Sequence, residues 1–420
     1  MENSGRPSSG ARIALGLLLT INLFNYIDRQ VLAAVEPEIR QTFFSPGDLN
    51  AMTKTGWLGS AFLVTYMLSA PVLGFLADRV SRWVIVGTAV ILWSLASGGS
   101  GLAATFGILF ATRICVGIGE GGYGPAAPTI LADLYPIETR GRIMALFCAA
   151  IPVGSALGYV IGGQIGAHWG WRWAFYTVAP PGLLLGLLCF WQRDPRVASH
   201  HLMQQMPRRG LTDYLRLFQT RSYLFNCIAQ TLMTFAAGGL GYWISAYLDF
   251  RNQSPAAART IFGLITVVAG LSSTLIGGII ADKLRSRFAG SYFWVSGIGM
   301  LIACPTFVVS LYVPFPAAWF AMFVAIFFLF LNTGPSNTAL ANVSMPAVRA
   351  TAFAVNILII HFFGDVQANW LLGYIGGHTN IRVAFLFVSA IILASGVAWI
   401  MGAKYLPEDT ARVEAATARP

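Results

Sequence analysis

The chain has 420 residues, of which 56% are hydrophobic and only 10% charged, and its mean hydropathy is +0.65. A soluble domain carries about 25% charged residues, so the composition excludes a disordered chain and argues against a large soluble enzyme or a nucleic-acid module. The net charge of +10 is then a matter of topology, because lysine and arginine concentrate in the cytoplasmic loops of membrane proteins.

A helix of about 20 apolar residues spans a bilayer. Twelve such spans are predicted, at about 13–35, 55–77, 83–104, 107–132, 143–166, 171–191, 222–248, 257–281, 290–312, 315–341, 351–376 and 382–404. The first begins near Ile13, is too long for a secretory signal and contains Asp28 and Arg29. The longest gap, Gln192 to Arg221, carries six arginines. The expected organisation is therefore an N-terminal six-helix half over 1–191, a cytoplasmic linker over 192–221, a C-terminal six-helix half over 222–404 and a cytoplasmic tail over 405–420. With the N-terminus placed inside, 19 of the 27 basic residues fall on the cytoplasmic side, six fall outside and Arg29 and Arg113 lie within spans. That bias predicts two cytoplasmic termini. The five cysteines sit in apolar runs without metal-ligand spacing, so neither a disulfide framework nor a zinc site is implied.

The chain repeats itself. Gly74-x-x-x-Asp78-Arg79 after the second span returns as Gly278-x-x-x-Asp282-Lys283 after the eighth. Gly124-Pro125 and Pro136 return as Gly334-Pro335 and Pro346, each shifted by 210 positions, half the chain. Two related halves with a site at their interface are typical of transporters.

Ionisable groups inside spans are costly and mark function. They are Asp28 and Arg29 in span one, Arg113 and Glu120 in span four, and His361 and Asp365 in span eleven. Arg113 and Glu120, seven apart, share a helix face. Span ten is dense in amides and hydroxyls, including Asn332 and Asn337, and span seven adds Asn226 and Gln230. Unpaired amides in hydrocarbon are costly, so such groups are expected to line a cavity, with interhelical hydrogen bonding as the alternative. Gly154, Gly158 and Gly162 form a small-residue face suited to close helix approach.

The loop Gly74-Phe-Leu-Ala-Asp78-Arg79-Val-Ser-Arg82, the run Arg113-Ile-Cys-Val-Gly117-Ile-Gly119-Glu120 and the glycines 154, 158, 162 and 163 resemble, in order, signatures of the major facilitator superfamily. Within it, Asn22-Leu-Phe-Asn25-Tyr26-Ile-Asp28-Arg29, Gly117-Ile-Gly119-Glu120-Gly-Gly-Tyr123, Ala127-Pro128-Thr129-Ile-Leu-Ala-Asp133 and Ile151-Pro152-Val-Gly154-Ser155 are similar to the Spinster family. The likeness covers about 11–405. It implies an all-α integral membrane protein with the 12-helix major facilitator fold in two pseudo-symmetric halves, working by alternating access. It also implies export of lysophospholipid- or sphingosine-1-phosphate-like substrates, proton-coupled in some members.

Under that resemblance spans one and four line the central cavity. Asp28, Glu120, Arg113 and Arg29 become the proton-coupling set. Arg113, Glu120, Tyr26, Asn226, Gln230, Asn332, Asn337 and His361 become candidate substrate contacts. Gly74, Asp78, Arg79, Arg82, Asp133, Arg140 and Asp282 become a gating set, with Asp78 capping a helix and Arg79 or Arg82 pairing with Asp133 or Glu138. The competing reading of the four charges is an ion-pair network that locks helices one and four together. The runner-up substrate is a small organic anion or drug. A membrane enzyme would need a nucleophile–base pair or a metal set, and the five histidines form no ligand motif; no Walker sequence is present for ATP-driven transport. The expectation is a monomeric, multi-pass protein of a bacterial inner membrane. Its partners would be protons, an amphipathic substrate and membrane lipids, with no cofactor, metal or nucleic acid.

Overall fold

The computed structural model describes residues 10–77, 79–194, 217–345 and 348–417. Asp78, His200, His201, Pro346, most of the linker and the side chain of Glu138 lie outside the described residues. Every regular element among the described residues is helical: α1 Ala11–Ala34, α2 Glu36–Phe43, α3 Ala51–Ala77, α4 Arg82–Gly101, α5 Phe106–Glu120, α6 Tyr123–Leu134, α7 Ile137–Trp169, α8 Trp171–Cys189, α9 Arg221–Phe250, α10 Pro255–Arg285, α11 Ser291–Tyr312, α12 Ala317–Phe330, α13 Thr333–Asn342, α14 Arg349–Ile360, α15 Val366–His378, α16 Ile381–Ala403 and α17 Leu406–Thr417. Among the described residues nine helices are long and apolar enough to cross a membrane. Spans one, four and six fall short of that measure. Span one is diluted by Asn22, Asn25, Asp28 and Arg29, and span four by Arg113 and Glu120. Span four is also cut in two.

The cut has a twin. Span four stops at Glu120 and resumes at Tyr123; span ten stops at Phe330 and resumes at Thr333, each 210 positions later. In the first break the chain runs through Gly121-Gly122, where a Cβ on Gly122 would lie 3.0 Å from the Cβ of Ala89. Span eleven holds a π-helical turn, His361–Asp365, between α14 and α15. The same shift carries this turn onto 151–155, where Pro152 interrupts the backbone bonding of α7.

Helix ends follow local chemistry. The Thr105 hydroxyl accepts from Ile108 N at 3.3 Å and Asn380 Oδ1 accepts from Val383 N at 3.1 Å, capping α5 and α16. Gly170, at φ 88°, turns the chain from α7 into α8, a conformation that suits glycine.

The chain divides into two compact units: Met1–Met206 with Ile244–Gly263, and Pro207–Trp243 with Leu264–Pro420. In the first, the glycine face of α7 lies on α1. A Cβ at Gly154 would stand 2.6 Å from Leu23 O, one at Gly158 2.6 Å from the Cβ of Gln30, and one at Gly162 2.5 Å from that of Ala34. Asn22 Nδ2 donates to Phe147 O at 2.8 Å and Tyr123 donates to Leu18 O at 2.7 Å, tying α7 and α6 to the same helix. In the second unit α11 and α16 meet at Gly297 and Gly396, where each added Cβ would stand 3.0 Å from the other's carbonyl oxygen. The cysteines are unpaired; Cys189 and Cys227 are buried, whereas Cys115 and Cys148 are exposed.

Candidate functional site

Asp28 and Arg29 are adjacent on α1 and reach different partners on α5. Arg29 Nε stands 2.6 Å from Glu120 Oε2, and Arg113 Nη1 stands 4.0 Å from Asp28 Oδ2. Successive helix residues are turned by about 100°, and a separation of seven spans about 10 Å of axis. The two pairs therefore bridge α1 to α5 at two levels along α5.

Their surroundings differ. Asp28 and Arg113 are 3% and 2% exposed. Ser97 donates to Asp28 Oδ1, Arg113 donates to Ser100 Oγ, and the Arg113 guanidinium lies 5.2 Å from the Phe175 ring centroid. This is a closed ion pair braced by α4 and α8. Glu120 is equally buried, but the Arg29 side chain keeps 20% of its exposure. That pair borders a pocket of about 110 Å³, lined also by Asn22, Asn25, Tyr26, Tyr66, Tyr123, Gly124, Phe147 and Ile151. The rings of Tyr26, Phe62 and Tyr66 stand 5.1, 5.0 and 5.0 Å from the Arg29 guanidinium carbon, within cation–π range.

The polar residues expected from the second half fall into separate places. Asn226 and Gln230 are buried and bonded to one another at 3.3 Å. Asn226 also takes the Trp399 indole N–H at 3.0 Å, while Gln230 donates to Ser336 Oγ at 3.0 Å and accepts from Asn356 at 2.8 Å. These amides join α9 to α13, α14 and α16. Asn332 is fully buried and bonds the carbonyl of Leu329 at 2.6 Å. Asn337 is exposed and bonds the carbonyl of Thr333. His361 Nδ1 meets Asp365 Oδ2 at 3.0 Å across the π turn.

Of the gating set, Arg82 is buried and pairs through Nη2 with Asp133 at 2.7 Å and with Asp194 at 2.8 Å. Asp194 also accepts from the backbone N of Arg82 at 2.7 Å, which caps α4. Arg79 folds back on Phe75, its guanidinium 3.3 Å from the ring centroid and bonded to Phe75 O. Gly74 faces Pro125, whose Cβ would lie 3.4 Å from an added Cβ. Arg140 donates to Ala132 O at the end of α6. Asp282 accepts from the Tyr292 hydroxyl at 2.8 Å.

One cluster lies beyond the candidate residues named from sequence, where Arg40 and Arg259 are only two of the six basic residues placed outside. Arg259, fully buried, stands 2.8 Å from Glu38 and 3.5 Å from Asp249. Beside it, buried Glu36 accepts from Thr55 at 2.6 Å and Arg40 at 3.1 Å. The i,i+4 spacing of Glu36 and Arg40 just after span one was the available signal. No group of three or more His, Cys, Asp or Glu that could hold a metal ion occurs among the described residues.

Comparison with known proteins bears on this arrangement. The profile described as Major Facilitator Superfamily matches residues 18–366. Protein spinster homolog 3 of Danio rerio is 31% identical over 96% of this chain and 87% of its own. Sphingosine-1-phosphate transporter SPNS2 of Xenopus tropicalis is 30% identical over 96% and 83%. The crystal structure of a bacterial homolog to the human lysosomal transporter Spinster, inward-facing and unoccupied, superposes with a TM-score of 0.84 at 20% identity over 96% of this chain and 99% of that one. A D-xylose-proton symporter has a TM-score of 0.75 at 18% identity, over 92% and 96%. Span pattern, repeat and relatives agree: this chain is a multi-pass major facilitator superfamily transporter and belongs to the Spinster family.

Proposed function

We propose that the transporter is proton-coupled and moves an amphipathic, lipid-like substrate, of the lysophospholipid or sphingosine-1-phosphate kind, by alternating access. The observation that carries this reading is the Arg29–Glu120 pair at 2.6 Å on the wall of a pocket lined by amides and aromatic rings. An arginine beside a carboxylate holds it ionised; an arginine drawn away inside an apolar surround lets the carboxylate take a proton. Movement of Arg29 then exchanges a proton for a guanidinium at Glu120. Asp28 and Arg113, closed off from the pocket, hold α1 to α5 while this happens. The name of the Xenopus tropicalis relative supports the substrate class. We place both termini in the cytoplasm of a bacterial inner membrane, on the basic-residue asymmetry, with a monomer as the working unit.

The test is flux of a labelled lysophospholipid in proteoliposomes with an imposed pH gradient. The gradient is expected to drive flux, and Glu120→Gln to abolish the driven component. Flux that ignores the gradient, or driven flux that survives in Glu120→Gln, defeats the proposal. Driven flux of small organic anions in place of the lipid keeps proton coupling and overturns the substrate class.

A further inference from the structure

The three rings around Arg29 are more than its ion pair requires. Glu120 at 2.6 Å already pairs the guanidinium. Yet Tyr26 comes from one turn earlier on α1, and Phe62 and Tyr66, four apart on α3, stack with centroids 6.3 Å apart beside it. Ring faces attract any cation, and they do so best when the cation is weakly hydrated, as an alkylammonium is. Arg29 retains 20% exposure on the side of a pocket of about 110 Å³. That is space for a small head group such as an ammonium. Arg29 and Glu120 are the only charged residues in its described lining.

We propose that Tyr26, Phe62, Tyr66 and Glu120 form a receptor for the alkylammonium head of the substrate, and that Arg29 fills it as a stand-in cation until the substrate arrives. The inference rests on the reading that this pocket receives the substrate. Exchange of guanidinium for ammonium leaves the charge beside Glu120 unchanged, so no uncompensated carboxylate is buried at any stage. The displaced guanidinium, with its planar fork of donors, becomes free to bind an anionic oxygen on the same head group.

The experiment uses the full chain in lipid nanodiscs and two probes with the same tail, octyltrimethylammonium and octyl glucoside, below their micellar concentrations. Calorimetric titration should show tighter binding of the ammonium probe. Phe62→Leu and Tyr66→Leu should each weaken it about 2- to 30-fold and leave the glucoside unchanged, while Tyr66→Phe, which keeps the ring, should retain it. Arg29→Met should tighten the ammonium probe by removing its competitor, a sign that a merely structural role for Arg29 does not give. Equal loss of both probes on ring removal, no loss of either, or weaker ammonium binding in Arg29→Met overturns the receptor. Ile151→Trp narrows the pocket itself. If it blocks both probes while the ring variants do nothing, the receptor alone fails; if it affects neither probe, the pocket reading fails with it.

Discussion

Neutralising the two acids of the ion pairs that bridge α1 and α5 one at a time should separate a lock from a working part. Asp28→Asn leaves Arg113, 2% exposed, as a buried cation without its carboxylate. Removing one member of a buried pair costs about 3–5 kcal/mol. Glu120→Gln also strips an arginine of its partner, but Arg29 keeps 20% exposure and three rings near 5 Å. Water reaches the partly exposed Arg29 guanidinium, which the closed Asp28–Arg113 pair does not allow, and the cost falls to about 1–2 kcal/mol. The assay is the apparent unfolding midpoint of the purified, detergent-solubilised protein, read beside proteoliposome flux. Asp28→Asn should lower the midpoint further than Glu120→Gln, whereas Glu120→Gln should cost pH-driven flux with the fold nearly intact. Asp28→Asn combined with Arg113→Met, which leaves no unpaired charge, should regain part of the lost stability. If Glu120→Gln destabilises as much as Asp28→Asn, or the double variant regains nothing, the division of labour between the pairs is wrong.

Three further outcomes are open to direct measurement. Burial pushes the Glu36 carboxyl above its ordinary value, against the opposing pull of the Arg40 guanidinium and the Thr55 hydroxyl. A carboxyl raised on folding loses stability as pH climbs through its folded value, so Glu36→Gln should raise the unfolding midpoint at about pH 8 and leave it unmoved at about pH 4. Gly158→Val places a branched side chain where a Cβ already meets Gln30 at 2.6 Å and Ile27 O at 2.7 Å; overpacking of this kind should cost about 1–3 kcal/mol, read as a lower midpoint. Arg82→Gln strips both Asp133 and Asp194 of their cation. It should cost about 3 kcal/mol and also alter flux if the clamp gates, so normal flux at normal stability would remove Arg82 from the gating set.

The spans were legible because hydropathy over about 20 residues is a one-dimensional property. The breaks were not: Gly121-Gly122 and Leu331-Asn332 sit inside runs apolar enough to read as continuous, and only the repeated Gly-Pro pairs just beyond hinted at a shared device. Spacing put Arg113 and Glu120 on one face of their helix. It gave no means of deciding which acid each arginine meets, since that depends on where the fold places α1 relative to α5. Asn226 and Gln230 read from sequence as cavity lining in preference to interhelical bonding, because their partners Ser336, Asn356 and Trp399 lie 106 to 173 positions away. Arg259 was hidden for a similar reason. An arginine in the first turns of α10 becomes buried when Ile244–Gly263 packs with the first unit, and local sequence carries no sign of that.

The split in span four makes α6 a lever. Its 12 residues measure about 18 Å at 1.5 Å per residue, with the fulcrum at Gly121-Gly122 and Asp133 near the far tip. A tilt of about 10° at the fulcrum swings the tip by about 3 Å over that length, more than the whole 2.7 Å separation of Asp133 from Arg82. A small rotation beside the Glu120 pocket is thus magnified into the making or breaking of a contact at the far end of the helix, and the integrity of that contact works as a gauge of the angle at the break.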